Sequence, residues 1–148
     1  MEIFEMTAAH EKWEEVADYA ESCSWKAGRT LAVKMRNESF RDCERVFAVY
    51  ENGHPIGFCT FTESDSLIPR YLYRPFIGFI FVDEMFRGKK ISKKIIDAVR
   101  NYSRINGYNR IYLTSGEKGL YEKLGFKKLG DNYETIYGTV EQLFMISS

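Results

Sequence analysis

Val82-Asp83-Glu84-Met85-Phe86-Arg87-Gly88-Lys89-Lys90-Ile91-Ser92 joins two different periodicities. Upstream lies Phe76-Ile77-Gly78-Phe79-Ile80-Phe81-Val82, of strand length and rich in aromatic and β-branched residues. Downstream, Ile91, Ile95, Ile96, Val99 and Tyr102 recur at the spacing of one helix face. The order is strand, basic glycine-containing turn, helix. Such a junction gathers unpaired backbone N–H groups and the positive end of a helix dipole beside Arg87, Lys89, Lys90 and Lys93. A phosphate or pyrophosphate is the natural guest, although a solvated loop can have the same composition. Neither the G-x-x-x-x-G-K-S/T loop nor G-x-G-x-x-G occurs, so a P-loop is excluded and a dinucleotide fold is unsupported.

A second segment, Leu120-Tyr121-Glu122-Lys123-Leu124-Gly125-Phe126, follows the strand-like Arg110-Ile111-Tyr112-Leu113-Thr114. The two segments together, in this order, resemble the GNAT superfamily of acyl-CoA-dependent N-acetyltransferases. The family's turn reads approximately Arg/Gln-x-x-Gly-x-Gly/Ala. Here Arg87 and Gly88 fill the first two positions, and Lys90 and Ser92 stand at the fourth and sixth, where glycine is commoner. The L-Y-E-K-L-G-F segment matches closely.

The resemblance implies a mixed α/β fold over residues 1–148 as one domain: a mostly antiparallel sheet, splayed strands 4 and 5, and helices on both faces. The chain itself suits that order. Glu2–Met6 reads as a strand, and Thr7 as the cap of a helix carrying Trp13, Val16, Ala17 and Ala20. A second helix is expected over about Arg29–Phe40, then two strands around the Asn52-Gly53 hairpin turn. Glu63–Arg74 reads as a polar, mobile connection. Gly107 suits a helix C-terminus, and the helix before it a right-handed crossover between parallel strands. The tail, Glu134–Ile146, reads as one or two strands with a bulge.

The resemblance also implies acetyl-CoA as co-substrate. Its pantetheine arm would pair with strand groups around Ile80, Phe81 and Val82, and its pyrophosphate would lie on the turn from Arg87 through Gly88, Lys89, Lys90 and Ile91 to Ser92, with Lys93 in reach. Ser92 could alternatively cap the helix, and Lys90 fits only if its backbone needs no positive φ. Tyr121 takes the family's role of proton donor to the departing thiolate; a phenol is protonated at neutral pH. Many relatives carry a glutamate on the fourth strand. None lies between Tyr73 and Val82, Gly78 stands about where it would be, and Asp83, Glu84 and Glu117 are weak substitutes. A water chain or an amine that arrives neutral would explain that gap equally well, and it also leaves open an acyl-CoA sensor or degenerate relative without turnover; Tyr121 argues for catalysis. Trp25, Tyr73, Phe76 and Phe40 are aromatic candidates for the wall of the acceptor site, with a small-molecule or peptide amine as acceptor. His10 and His54 read as surface residues.

Twenty-one basic residues balance 21 acidic ones, which gives no support to nucleic-acid or membrane-surface binding. Three cysteines without C-x-x-C spacing argue against a disulfide framework and against zinc, so no metal is expected. The start lacks the pattern of a signal peptide, and no run spans a bilayer, which points to a cytoplasmic protein. The tail strands could pair across a two-fold axis to form a homodimer, by analogy with relatives.

Overall fold

The computed structural model describes residues 1–148. Its elements run β1 (Glu2–Met6), α1 (Trp13–Ser22), α2 (Gly28–Arg36), β2 (Arg45–Glu51), β3 (His54–Thr62), β4 (Phe76–Val82), a 3₁₀ turn (Glu84–Phe86), α3 (Ile91–Ile105), β5 (Arg110–Ser115), α4 (Leu120–Lys123), β6 (Lys127–Glu134) and β7 (Val140–Ser147). The strands form one seven-stranded sheet in the order β1-β2-β3-β4-β5-β7-β6. Every neighbouring pair is antiparallel except β4–β5, which α3 connects as a parallel crossover.

Helices cover both faces because the central strands β2, β3 and β4 present apolar residues to both sides. On one face α1 buries Trp13, Val16, Ala17 and Ala20, and α2 buries Leu31 and Met35, against Val46, Ala48, Phe58 and Phe81. On the other, α3 sets Ile91, Ile95, Ile96, Val99 and Tyr102 against Phe47, Cys59, Ile77 and Ile111. Each isoleucine buried this way contributes about 1.5–3 kcal/mol, so the face of α3, not its basic start, holds the helix to the sheet.

Several boundaries differ from the sequence reading. Residues 7–12 make successive turns, and α1 begins only at Trp13; the Lys12 N–H donates to His10 Nδ1 at 3.0 Å, and Thr7 caps nothing. α2 stops at Arg36 because Glu38 adopts a left-handed φ of 50°, leaving Phe40 beyond the helix, 5.6 Å edge-on to Trp13. The segment 63–74 is tied down rather than free. Leu67 is buried and bridges Thr135, and the Ile136 N–H donates to the Ser66 carbonyl at 2.7 Å. β6 starts at Lys127, before the expected tail strands. It is an edge strand with exposed residues and two register shifts around Gly130, so the alternation that marks a strand is lost. The Asn52-Gly53 turn (φ 51° and 78°) and the left-handed Gly107 (φ 88°) are as read.

Candidate active site

The centre of the sheet is open. β4 and β5 share a single register pair, Phe76 with Tyr112, next to a 2.9 Å bond from the Tyr112 N–H to the Pro75 carbonyl. Beyond it the strands diverge. The cause lies in β4: between the pairs Thr60–Gly78 and Phe58–Phe81, two β4 residues, Phe79 and Ile80, oppose Cys59 alone, and Phe79 takes φ 48°. This β-bulge bends the strand and interrupts its burial at Phe79 and Ile80. A groove of about 1240 Å³ fills the wedge, walled by β4, β5, the start of α3 and α4.

One end of the groove is basic. Gly88 and Lys90 both adopt left-handed backbone, with φ 84° and 59°. Alternating conformations of this kind curl successive N–H groups around an anion-sized concavity. Lys90, not Ser92, occupies the cap position of α3, so the condition set by its side chain is overturned: the position does need positive φ, and lysine bears it. Ser92 is the second helical residue and lines the groove with Gly88, Lys90, Ile91 and Lys93. The first helical bond runs from the Lys94 N–H to the Lys90 carbonyl at 3.2 Å, so the amides of 91–93 have no carbonyl one turn back. Arg87 also lines the groove, but its side chain is occupied: Nε donates to the Val82 carbonyl at 3.0 Å, and the guanidinium lies 5.8 Å from the Phe81 ring. Lys93 pairs with Asp97 at 2.8 Å, an exposed contact of small energy. Lys89 is outside the groove, with Nζ 5.4 Å from the Phe86 ring.

Ile80, Phe81 and Val82 form the β4 wall, and Tyr121 faces them from α4. The Tyr121 ring is fixed by Phe126 and Phe144, each 5.7 Å away. Burial pushes its phenol up to about 12, and the charges of Glu117 and Cys59 add to the shift. It holds its proton at any physiological pH.

Of the aromatic candidates, only Trp25 lines the groove, stacked on Phe81 at 6.1 Å and 5° between planes. Phe76 and Tyr73 do not. Phe76 lies below the point where the strands part and is buried with Leu67, Tyr112 and Leu143, while Tyr73 packs on Tyr112 at 4.9 Å. Phe40 packs on Trp13 instead.

The other end of the groove is acidic, and sequence reasoning missed most of it. Asp65, Glu117 and Glu141 line it together with Thr114, Ser115 and Tyr137. Only Glu117 was a candidate. The Asp65 carboxylate accepts from the Thr114 hydroxyl at 3.4 Å. Burial pushes its carboxyl up, against the opposing pull of Lys34 and that hydroxyl. The signal that could have found it is the empty carboxylate position at Gly78, which asks for a donor from elsewhere. Asp83 is used structurally: Oδ1 accepts the Met85 N–H at 3.0 Å and Oδ2 the Tyr19 hydroxyl at 3.4 Å. Glu84 is exposed and away from the groove, as is His54 in its hairpin.

No helix is long and apolar enough to cross a membrane. The structure resembles an aminoglycoside 6'-N-acetyltransferase complexed with coenzyme A, with TM-score 0.69 and 16% identity over 99% of this chain and 97% of that one. It also resembles the GNAT family N-acetyltransferase YhbS from Escherichia coli in complex with CoA, with TM-score 0.72 and 18% identity over 99% and 80%. At that identity the likeness concerns the fold. The human N-acetyltransferase 8B is 30% identical over 70 residues, 44% of this chain and 31% of that protein, so the match spans under a third of the relative's length. The model of the acetyltransferase (GNAT) family matches residues 6–126, and with that match over most of its length the chain belongs to the GNAT acetyltransferase family.

Proposed function

We propose that the protein moves an acetyl group from acetyl-CoA to a primary amine by direct attack, with Tyr121 as general acid. The observation that carries this reading is the wedge between β4 and β5, continuous from the start of α3 to Tyr121. Coenzyme A in two proteins of the same fold supports the choice of donor.

The residues present fit the donor. The left-handed pair Gly88 and Lys90 turns amides toward a pyrophosphate, with Lys90 and Lys93 supplying charge. Beyond the bulge, backbone groups of β4 near Ile80 and Val82 have no partner on β5, and a ligand amide can satisfy them. When bound, acetyl-CoA supplies an activated thioester. The chain's part is to orient it along β4, offer an N–H near Val82 to the developing oxyanion, and hold a proton on Tyr121 for the leaving sulfur.

Calorimetric titration with acetyl-CoA, desulfo-CoA and 3′-phospho-ADP tests the donor half. We expect micromolar binding of all three; folded protein that binds none overturns the reading. Retained acetyl-CoA binding without transfer to any amine would favour the sensor reading instead.

A further inference from the structure

β4 carries no carboxylate, yet the place for one is not empty. A Cβ built on Gly78 would lie 3.3 Å from the Thr60 hydroxyl and 3.4 Å from Asp65 Oδ2. The Asp65 side chain, delivered from the connection between β3 and β4, therefore fills the space that a β4 side chain would enter. Thr114 on β5 holds it by a 3.4 Å bond and is itself 3.3 Å from the Ser66 hydroxyl. A Cβ at 78 would already be in van der Waals contact with Asp65, so a longer side chain running the same way would compete with the aspartate for that space. Asp65 and Gly78 both line the groove that Tyr121 also lines.

We propose that Asp65 takes the proton from the ammonium group of the acceptor, in place of the absent strand carboxylate; this rests on the acetyl-transfer reading above. A primary ammonium cannot attack, since its lone pair is bound, and at neutral pH an alkylamine is almost wholly protonated. Asp65 removes one proton. The neutral nitrogen forms the C–N bond, the carbonyl oxygen takes the electron pair, and its return breaks the C–S bond. Tyr121 gives its proton to the sulfur and recovers one, through water, from the nitrogen as the amide forms. Asp65 then releases its proton to solvent, so one proton leaves per turnover.

The groups facing Asp65 suit this task. Lys34 from α2, with Nζ 5.6 Å above the Phe79 ring, favours the ionised form, as do the Thr114 hydroxyl and the Ser66 N–H; Glu141 from β7 and burial oppose it. The result is a carboxylate more basic than an exposed one, and closer in strength to what a working base needs.

The test measures CoA release from acetyl-CoA with n-butylamine and with 1,4-diaminobutane, from wild type, Asp65→Asn, Asp65→Ala, and the double variant Asp65→Ala/Gly78→Glu. Asp65→Asn is expected to lower kcat/KM for the amine by roughly 10²–10⁴-fold and to shift the rising limb of the pH profile upward. Its affinity for acetyl-CoA should stay unchanged. The double variant, which returns a carboxylate to β4 and vacates its space, is expected to recover at least about tenfold over Asp65→Ala alone, a tenfold step being 1.4 kcal/mol of barrier. An unchanged rate and pH profile in Asp65→Asn overturns the proposal, as does wild type that binds acetyl-CoA but acetylates neither amine. A parallel loss of acetyl-CoA binding in Asp65→Asn also overturns it, by making the residue structural. Wild type that binds no acetyl-CoA sinks the parent reading instead.

Discussion

The two ends of the groove are made of different materials. The basic end is one contiguous stretch, Arg87 to Lys93, mostly exposed, in which backbone conformation does the shaping and lysines add charge. The acidic end is assembled from Asp65 before β4, Thr114 on β5, Glu117 after it and Glu141 on β7, none of them neighbours in sequence except the middle pair. A turn of that kind tolerates an unusual side chain, because amides carry its function. The convergent end depends on sheet register, since a one-residue slip sends each side chain to the opposite face. Under the proposed function the first end sets affinity for the donor and the second sets the rate of attack.

The sharpest way to break that division is at Tyr121, between the two ends. Tyr121→Phe removes one hydroxyl and leaves the ring contacts with Phe126 and Phe144. We expect kcat to fall by roughly 10²–10⁴-fold with little change in the Kd for acetyl-CoA. The wild-type pH profile gives a second check. With its phenol pushed up to about 12, Tyr121 keeps its proton well past the point where an ordinary tyrosine titrates. The rate should therefore show no falling limb near pH 10, the usual phenol value. A fall centred there would mean that the proton comes from a less buried donor.

At the basic end the expected effect is smaller and of the other kind. Lys90→Glu/Lys93→Glu places two negative charges beside the α3 start. Exposed charge pairs are worth about 0.2–1 kcal/mol each, and reversal turns two attractions into two repulsions, so the pair should weaken acetyl-CoA and 3′-phospho-ADP alike by about tenfold. Added salt should shrink the difference. The kcat at saturating donor should hold. If kcat falls while Kd holds, the two ends do not divide the work as argued.

Legibility follows the same line between contiguous and convergent features. The β4–turn–α3 unit, the hairpin at Asn52-Gly53 and the α3 apolar stripe were readable because each is set by neighbours in sequence. Tyr121 was readable through its surrounding motif as a residue that lines the groove, while the role given to it is part of the proposed function. The bulge at Phe79 was not, because nothing in F-I-G-F-I-F-V distinguishes a bent strand from a straight one. Nor were Asp65 and Glu141, which come together only once β5 and β7 lie beside the wedge. Phe76 and Tyr73 were misplaced for a related reason: the parting of β4 and β5 after Phe76 decides which β4 aromatics reach the groove, and that point is a tertiary fact.

The smallest effect concerns how the turn bears Lys90. A non-glycine residue in left-handed backbone costs about 1–2 kcal/mol, and at φ 59° Lys90 bears that cost. Lys90→Gly removes it but loosens the unfolded chain, which takes back about 0.4–1 kcal/mol. The net gain is then about 0–1.6 kcal/mol, centred on about 0.8 kcal/mol, or roughly 2–3 °C in melting temperature at that centre for a chain of this size. Gly88→Ala, at φ 84° in the same turn, should move the melting temperature the other way. Affinity separates the two functions of the residue: Lys90→Gly keeps the curl of the amides and loses a charge, so acetyl-CoA should bind a few-fold more weakly to a more stable protein. A melting temperature that falls instead would mean that the lysine stem, not its backbone, holds the turn, and the backbone account of the basic end would fail with it.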